Sequence, residues 1–171
     1  MFNNTPYETG PREGRGVGGS KRMAGTILVL NGPNLNLLGV REPEIYGRDT
    51  LEDIKQRCVA QGKKHGLEVD FRQSNSEATL IDWLHEARGT KLGVAINPAG
   101  FSFHSIALLD ALKMFDGPKV EVHITNIHKR EPMYQKSLMS HGVTGVIAGL
   151  GATGYVLAID ALADFAKVGK A

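Results

Sequence analysis

The sequence has little cysteine, little tryptophan and almost no net charge: its 171 residues include one cysteine and one tryptophan, and the formal net charge is +2. A single cysteine, Cys58, excludes an internal disulfide and a cysteine-rich metal centre, and its neighbours give no sign of a nucleophile, so a structural role is expected. No apolar run approaches the roughly 20 residues that a membrane-spanning helix needs. With 42% hydrophobic and 22% charged residues, the composition is that of an ordinary globular domain.

The net charge belongs to residues 1–25, which carry four basic and two acidic side chains. The remaining chain is formally neutral and therefore lacks the electrostatic attraction that nucleic acid or an anionic membrane requires, so neither partner is expected. Residues 1–25 are rich in glycine and lack the apolar core of a secretory signal, which predicts a disordered tail. We expect one folded domain over residues 26–171 and a cytoplasmic location.

Short apolar segments alternate with amphipathic segments from residue 26 onward. The segments that predict strands are residues 27–30, 67–71, 93–96, 120–124 and 143–148. Helices are predicted after Thr50 and Ser76, through residues 106–112 toward Gly117, and over residues 158–165, where apolar positions recur every three or four residues. Nearly continuous apolar strands fit a parallel sheet covered on both faces. The sequence therefore predicts a single α/β domain with a doubly wound, five-stranded parallel sheet of flavodoxin-like size.

Polar side chains follow four of the five predicted strands, at the edge of the sheet where open α/β folds bind ligands. They are Asn31, Asn34, Arg72, Gln73, Ser74, Asn75, Asn97, His123, Thr125, Asn126 and His128. Amides, hydroxyls and imidazoles suit a hydroxylated ligand of limited charge. Acidic residues are scarce there and the histidines lack the spacing of metal ligands, so no metal is expected. The glycine pattern of residues 149–154 lies too near the C-terminus for a dinucleotide site.

Glycine and proline punctuate residues 35–47, a loop long enough to close over a ligand. Arg41 and Tyr46 lie on this loop, and a guanidinium lowers the pKa of a nearby phenol, which would make Tyr46 a base for proton abstraction. The spacing by itself favours an ordinary surface tyrosine near an arginine.

Taken together, the polar segments resemble the type II 3-dehydroquinate dehydratases. The residues that carry the resemblance are 31–36, 41–43, 46–47, 74–75, 97–98, 121–123, 126, 128–131 and 149–151. The match extends over residues 27–165. It implies a flavodoxin-like subunit in a dodecamer of four trimers, no cofactor, and loss of water from 3-dehydroquinate through an enolate to give 3-dehydroshikimate.

The resemblance also implies catalytic roles by position. Tyr46 matches the base that removes the α-proton, and Arg41 matches the arginine that keeps this base ionised. Asn34 matches the residue that orients a water on the enolate oxygen. His123 matches the acid that protonates the departing hydroxyl, and Glu121 matches its supporting partner.

Substrate-binding roles follow in the same way for Asn97, His104, Asp110, Ile124, Thr125, Arg130 and Tyr134. Asn97 matches a ligand for substrate hydroxyls, and the backbone amides of Ile124 and Thr125 match those that hold the carboxylate. Arg130 matches a site arginine. Asp110 would reach into the site of a neighbouring subunit.

Two positions depart from the family pattern. Phe103 stands where the family usually has histidine, and His104 follows one residue later; such a shift at a helix start rotates a side chain by about 100°. Ala99 and Gly100 also replace the usual glycine–alanine order, so we expect a rebuilt turn from which His104 still reaches the site. Tyr134 stands where the family often has an arginine near substrate hydroxyls. The base, its arginine and the acid are retained, so we expect the chemistry to survive, while substrate affinity and identity stay open.

Two alternatives therefore remain at this point. One is a related lyase or isomerase that removes a proton beside a carbonyl of another polyhydroxy acid. The other is a non-catalytic paralogue that binds a small molecule. The sequence does not separate a role in aromatic amino acid biosynthesis by the shikimate pathway from one in quinate breakdown, since both use the same reaction.

Overall fold

Strands and helices alternate along the chain, and the computed structural model describes residues 25–40 and 49–168. The strands are β1 (Thr26–Asn31), β2 (Glu68–Gln73), β3 (Gly93–Asn97), β4 (Lys119–His123) and β5 (Gly145–Ala148). The α-helices are α1 (Leu51–Lys64), α2 (Glu77–Ala87), α3 (Ile106–Lys113) and α4 (Thr153–Val168). All five predicted strands are confirmed, with ends that differ by at most two residues.

The strands form one sheet in the order β2-β1-β3-β4-β5, and every neighbouring pair is parallel. The order reverses between β1 and β3, which makes this a doubly wound sheet with the flavodoxin-like strand order. In the register of the sheet, Asn31 at the end of β1 pairs with Asn97 at the end of β3. The predicted fold class is confirmed, and the reversal places the polar ends of β1 and β3 side by side.

Both faces of the sheet are covered, and β1 shows why its sequence is continuously apolar. Ile27 and Val29 pack in a cluster with residues of α1 and α4, whereas Leu28 and Leu30 pack in a second cluster with residues of α2 and α3. Successive strand residues point to opposite faces, so a strand covered on both sides needs apolar side chains at every position.

Hydroxyl side chains begin the first three helices. Thr50 and Asp53 form a reciprocal capping box, in which the Thr50 side chain accepts from the Asp53 N–H and the Asp53 carboxylate accepts from the Thr50 N–H. Ser76 accepts from the Thr79 N–H, and Ser105 accepts from the Leu108 N–H. These bonds satisfy backbone donors that a helix start leaves unpaired, and they confirm the two predicted starts at Thr50 and Ser76.

The structure differs from the sequence pattern at three points of the later helices. The third helix ends at Lys113, because Phe115 turns into the core and is 2% exposed. Ile106 is exposed, since the buried face of α3 is carried by Leu108 and Leu112, and Ile106 precedes Leu108 by about 200° of helix rotation. Phe165, near the end of α4, is 45% exposed and is therefore not part of the core.

Within residues 25–40 and 49–168, no helix is long and apolar enough to cross a membrane. The predicted tail, apart from Gly25, lies outside the described residues, and so do residues 41–48 with the predicted catalytic pair Arg41 and Tyr46.

Candidate active site

A cavity of about 270 Å³ opens at the carboxyl ends of β1, β3 and β4. Its lining comes from three segments: residues 33–38 after β1, residues 97–103 at the end of β3, and residues 123–134 after β4. This is the switch point of the sheet, where the strand order reverses and doubly wound folds bind small molecules.

Seven of the predicted site residues line this cavity: Asn34, Asn97, His123, Ile124, Thr125, Arg130 and Tyr134. Glu121 lies behind the cavity, where it contacts His123. His104 and Asp110 are exposed and are not among the residues that line the cavity. The structure thus brings together most of the predicted set within one subunit.

A close contact between two loops positions Asn34. The Gly32 N–H donates to the Asn97 carbonyl at 2.8 Å, and a Cβ at residue 32 would lie 2.3 Å from the carbonyl oxygen of Pro98. Only glycine permits this approach. Two residues later, Asn34 adopts φ 67°, and its N–H donates to the Asn75 Oδ1 at 3.0 Å. The backbone at Asn34 is thus fixed by the Gly32–Asn97 contact before it and by its own hydrogen bond to Asn75. From this position Asn34 lines the cavity.

A buried polar chain supports the floor of the cavity. The Asn97 Nδ2 donates to the Tyr155 hydroxyl at 2.9 Å, and this hydroxyl donates to the Asn31 Oδ1 at 2.8 Å. The Asn31 Nδ2 then donates to the Arg72 carbonyl at 3.0 Å. Burial raises the pKa of Tyr155, so its phenol stays neutral. The chain fixes the Asn97 amide and ties α4 to the ends of β1 and β3.

His123 and Glu121 form the most deeply buried ionisable pair of the site. They lie two residues apart on one face of β4, and the His123 Nε2 is 2.7 Å from the Glu121 Oε1. Glu121 is 0% exposed and His123 is 5% exposed. Glu121 also accepts hydrogen bonds from the hydroxyls of Ser137 and Ser140.

The ionisation state of Glu121 determines which ring nitrogen of His123 is free to contact a ligand. Burial by itself would raise the pKa of Glu121, but the hydrogen bonds from His123, Ser137 and Ser140 outweigh it and hold the pKa below its ordinary value. An ionised carboxylate only accepts, so the His123 Nε2 donates to it. The Nδ1 of His123 is then the nitrogen left for a molecule in the cavity, and Glu121 places a buried negative charge beside the imidazole ring.

The chain after β4 brings Arg130 and Tyr134 to the cavity, and the chain after β3 brings Phe103. The Arg130 guanidinium lies 4.2 Å from the centroid of the Tyr134 ring. The rings of Phe103 and Tyr134 meet edge to face, with centroids 5.3 Å apart and an interplanar angle of 77°. Cation and aromatic edge are both favourable neighbours for such a ring, so Tyr134 is held between two partners.

The turn after β3 explains where His104 lies. Ala99 adopts φ 50°, and its N–H donates to the Asn97 Oδ1 at 3.2 Å. The turn continues as a 3₁₀ helix over Ala99–Phe103, which directs Phe103 into the cavity lining. His104 packs its ring against Phe101 instead, at 5.9 Å between centroids. The prediction that His104 reaches the cavity thus has no support from a single subunit.

Three supporting residues were not predicted from the sequence. Ser137 and Ser140 lie around a short 3₁₀ turn, Met139–His141, where no periodicity marks an inward side chain. Tyr155 had a signal, since it is a tyrosine on the buried face of α4 beside Ala158, Ile159 and Leu162. A buried phenol needs hydrogen-bond partners, and the asparagines that end β1 and β3 were available.

The fold and the cavity define a flavodoxin-like α/β protein with a small-molecule site built around a buried carboxylate–imidazole pair. The chain belongs to the family described as dehydroquinase class II, whose model matches residues 25–163. The resemblance predicted from the sequence is confirmed.

Relatives and solved structures agree with this family. The chain is 55% identical to the 3-dehydroquinate dehydratase of Streptomyces coelicolor over 146 residues, which are 85% of this chain and 93% of the relative. It is 53% identical to that of Sinorhizobium medicae, covering 86% of this chain and all of the relative. The crystal structure of type II dehydroquinase from Propionibacterium acnes matches with a TM-score of 0.80 and 48% identity, covering 84% of this chain and 99% of that one. A 3-dehydroquinate dehydratase-like protein from Bifidobacterium longum matches with a TM-score of 0.63 and 34% identity, covering 84% and 98%.

Proposed function

We propose that this chain is a hydro-lyase that removes water from 3-dehydroquinate to give 3-dehydroshikimate, as in the shikimate pathway. The observation that carries the proposal is the cavity-lining His123, whose Nε2 is engaged by the buried Glu121. Membership of the dehydroquinase class II family indicates that the substrate is 3-dehydroquinate. Neither another lyase activity nor a non-catalytic binding role is favoured by these observations.

The reaction needs a base, a stabilised enolate and an acid. The proton on the carbon beside the ketone leaves first, and its electron pair becomes the enolate. The enolate then re-forms the ketone and expels the hydroxyl group of the β-carbon. An acid protonates this hydroxyl as it leaves, so it departs as water. The proton and the hydroxyl are thus lost from adjacent carbons, and the product is a conjugated enone.

The described residues fit the second half of this reaction. His123 gives its Nδ1 proton to the departing hydroxyl, and Glu121 stabilises the charged imidazole before that transfer. Asn34, held in the cavity lining, orients a water on the enolate oxygen. The first half is assigned to Tyr46 as base and to Arg41 as the cation that keeps it ionised, on the positions they share with the family.

Substrate binding is assigned to the rest of the cavity lining. Asn97 presents an amide already fixed by Tyr155, and Ile124 and Thr125 bring backbone N–H groups to the end of β4 for the carboxylate. Arg130 adds a cation at the same cavity. With these assignments, the substrate ring would lie between polar groups that follow β1, β3 and β4.

We further propose the dodecamer of four trimers, in which Asp110 serves the site of a neighbouring subunit. Asp110 lies on the exposed side of α3, where Ile106 is 65% exposed, and Met133 is 71% exposed. Ile106 and Asp110 are one helical turn apart on this side of α3, so a neighbouring subunit that packs there would contact both. A cytoplasmic location stays a prediction.

The first experiment is a continuous ultraviolet assay of enone formation with 3-dehydroquinate. We expect turnover that neither a chelator nor borohydride inhibits. Tyr46→Phe should abolish turnover, and His123→Asn should lower kcat by about 10²- to 10⁴-fold, the usual contribution of a general acid. His128→Asn is the matched control, because His128 is an exposed histidine outside the cavity lining and its loss should leave kcat nearly unchanged. Full activity of folded Tyr46→Phe or His123→Asn protein would contradict the proposal.

A further inference from the structure

Ser137 contacts the site from behind the cavity, through Glu121. It lies just before the 3₁₀ turn Met139–His141, is 7% exposed and is not among the residues that line the cavity. Its hydroxyl donates to the Glu121 Oε1, the same oxygen that lies 2.7 Å from the His123 Nε2. Ser137 therefore contacts the carboxylate oxygen that faces the imidazole, although it does not line the cavity itself.

The backbone fixes the direction of this hydrogen bond. The Met139 N–H donates to the Ser137 Oγ at 3.2 Å, and an amide N–H can only donate. The Ser137 Oγ thus accepts from Met139, which leaves the proton of its own hydroxyl for Glu121. The Glu121 Oε1 then accepts from Ser137 and from His123, an arrangement that favours the ionised form of the carboxyl.

The turn that carries Ser137 is anchored to the core. Met139 is 0% exposed and belongs to the same buried cluster as Leu109 of α3. The Leu138 N–H donates to the Ser102 carbonyl at 2.7 Å, which ties this turn to the one that follows β3. Because the residues next to Ser137 are held in this way, the fold determines where its hydroxyl lies.

The surroundings of Glu121 contain little other charge. The residues in register with it on β3 and β5 are Ile96 and Val146, which are uncharged. Within the described part of the chain its ion-pair partner is His123, and its remaining side-chain donors are serine hydroxyls. The charged side chains of the serine turn and of α3, which packs against it, are exposed: Lys136, His141, Asp110 and Lys113. A neutral hydroxyl stabilises the carboxylate without cancelling its charge, so the negative charge stays available to the imidazole.

We propose that Ser137 is a positioning residue for the acid step, whose hydroxyl keeps Glu121 ionised and oriented on His123. The proposal rests on the dehydration proposed above and adds to it a residue outside the cavity lining. Burial raises the pKa of Glu121 and the hydrogen bonds lower it, so loss of the Ser137 hydroxyl should raise this pKa. Glu121 then takes up a proton at a higher pH, and the negative charge beside His123 is lost there.

The test is the pH profile of kcat for the native protein and for Ser137→Ala, measured as enone formation from saturating 3-dehydroquinate. We expect the acid limb of the profile to move up by about one pH unit in Ser137→Ala, as for one hydrogen bond to a charged group. KM should change by less than about threefold, because Ser137 does not line the cavity. Ser137→Cys keeps the size of the side chain but donates more weakly, so its acid limb should lie between the other two.

Ser102→Ala is the matched control. Ser102 is 0% exposed and, among the described residues, its hydroxyl has no hydrogen-bond partner. Its carbonyl, which accepts from the Leu138 N–H, is retained in alanine. This variant removes a buried serine hydroxyl beside the same turn and should leave the acid limb at its native pH. A Ser137→Ala profile that keeps the native acid limb, or that falls by one factor at every pH, would overturn the proposal.

Failure of the proposed function has a different signature, namely no enone from the native protein. Infrared difference spectra between acid and neutral pH then decide the matter, because the carboxyl stretch reports protonation of Glu121 without turnover. Glu121→Gln supplies the blank, and Ser137→Cys is compared with the native protein because it preserves the packing. Protonation of Glu121 at a higher pH in Ser137→Cys supports the proposal, and protonation at the same pH overturns it.

Discussion

At the scale of single residues, the most consequential charge is that of Glu121. Burial would raise the pKa of Glu121, yet three donors hold it below its ordinary value near 4.5. A carboxyl whose folded pKa lies below its unfolded pKa stabilises the folded state fully at pH values above the unfolded pKa. That contribution is lost as the pH falls through the folded pKa. The donors to Glu121 are therefore expected to matter more at neutral pH than in acid.

Ser140→Ala tests this coupling, because it removes the hydroxyl that donates to the Glu121 Oε2 at 2.7 Å. We expect a loss of about 1.5 kcal/mol of unfolding free energy at pH 7, typical of a hydrogen bond to a charged group, and a smaller loss below pH 4. Urea unfolding at both pH values measures it. Ser76→Ala removes a helix cap and should cost about 1 kcal/mol at either pH. An equal cost of Ser140→Ala in acid and at neutrality would refute the coupling.

Ala99 is a second residue whose backbone conformation should lower the stability of the folded state measurably. Its φ of 50° lies in the left-handed region, which a Cβ disfavours and glycine does not. We expect Ala99→Gly to stabilise the protein by about 0.5–1 kcal/mol, after subtraction of the entropy that glycine adds to the unfolded chain. Thermal melts should show a rise of about 1–4 °C.

The control for Ala99→Gly makes the same chemical change where the backbone is helical. Ala60 is exposed in the interior of α1, so Ala60→Gly should destabilise the protein by about 1 kcal/mol. Opposite signs for the two substitutions are the diagnostic result; a loss of stability in both would mean that Ala99 is not strained.

At the scale of elements, the site depends on how the loops after β1 and β3 meet. Gly32 donates to the Asn97 carbonyl at 2.8 Å and leaves no room for a Cβ. The next residues of the β1 loop line the cavity, and so do residues of the turn after β3. Packing of these two loops therefore determines the shape of the cavity as well as the stability of the fold.

Gly32→Ala should separate the two loops. The new Cβ would lie 2.3 Å from a backbone oxygen, which cannot move as a side chain does. We expect a loss of about 1–3 kcal/mol in unfolding free energy and a steep fall in kcat/KM. Gly145→Ala is the comparison, since Gly145 lies on β5 outside the cavity lining and nothing lies within 4 Å of its added Cβ. A Gly32→Ala protein with native melting temperature and activity would show that the loops adapt.

Regular elements could be predicted because their residues repeat with a fixed period and end at recognisable caps. Apolar runs located the strands, and Thr50 and Ser76 marked two helix starts. The strand-end rule then located Asn97 and His123 at the cavity. These inferences need only local sequence and the general geometry of parallel sheets.

Other features depend on contacts between segments distant in sequence. Ser137 and Ser140 reach Glu121 across 16 and 19 residues, and Tyr155 reaches Asn31 across 124. Irregular turns carry no period, so the sequence did not show that these hydroxyls point inward. The opposite placements of Phe103 and His104 likewise depend on the left-handed turn at Ala99.

At the scale of the whole molecule, Asp110 is the residue that we propose to serve the site of a neighbouring subunit. It is exposed on α3 and lies outside the cavity lining of its own subunit. If it completes the site of a neighbour, activity depends on assembly, and two inactive variants can complement each other.

Mixed oligomers test this arrangement. Tyr46→Phe and Asp110→Ala subunits, each nearly inactive alone, are unfolded, mixed equally and refolded together. About one quarter of the sites then combine a native Tyr46 with a native Asp110 from the neighbour, so about one quarter of native activity should return. Mixing Asp110→Ala with the doubly substituted subunit is the control and should restore nothing. No recovery in the first mixture would place Asp110 outside the neighbour's site.

Because Cys58 is buried, its reaction with an alkylating reagent reports local opening of the protein core. The thiol is 0% exposed, and burial raises its pKa to about 12, so an alkylating reagent meets neither an accessible sulfur nor a thiolate in the native state. Because the chain has no other cysteine, every label incorporated counts one opening of the core around α1. Labelling kinetics of the purified protein, followed by mass, would thus report opening of the core around Cys58 with no engineered probe.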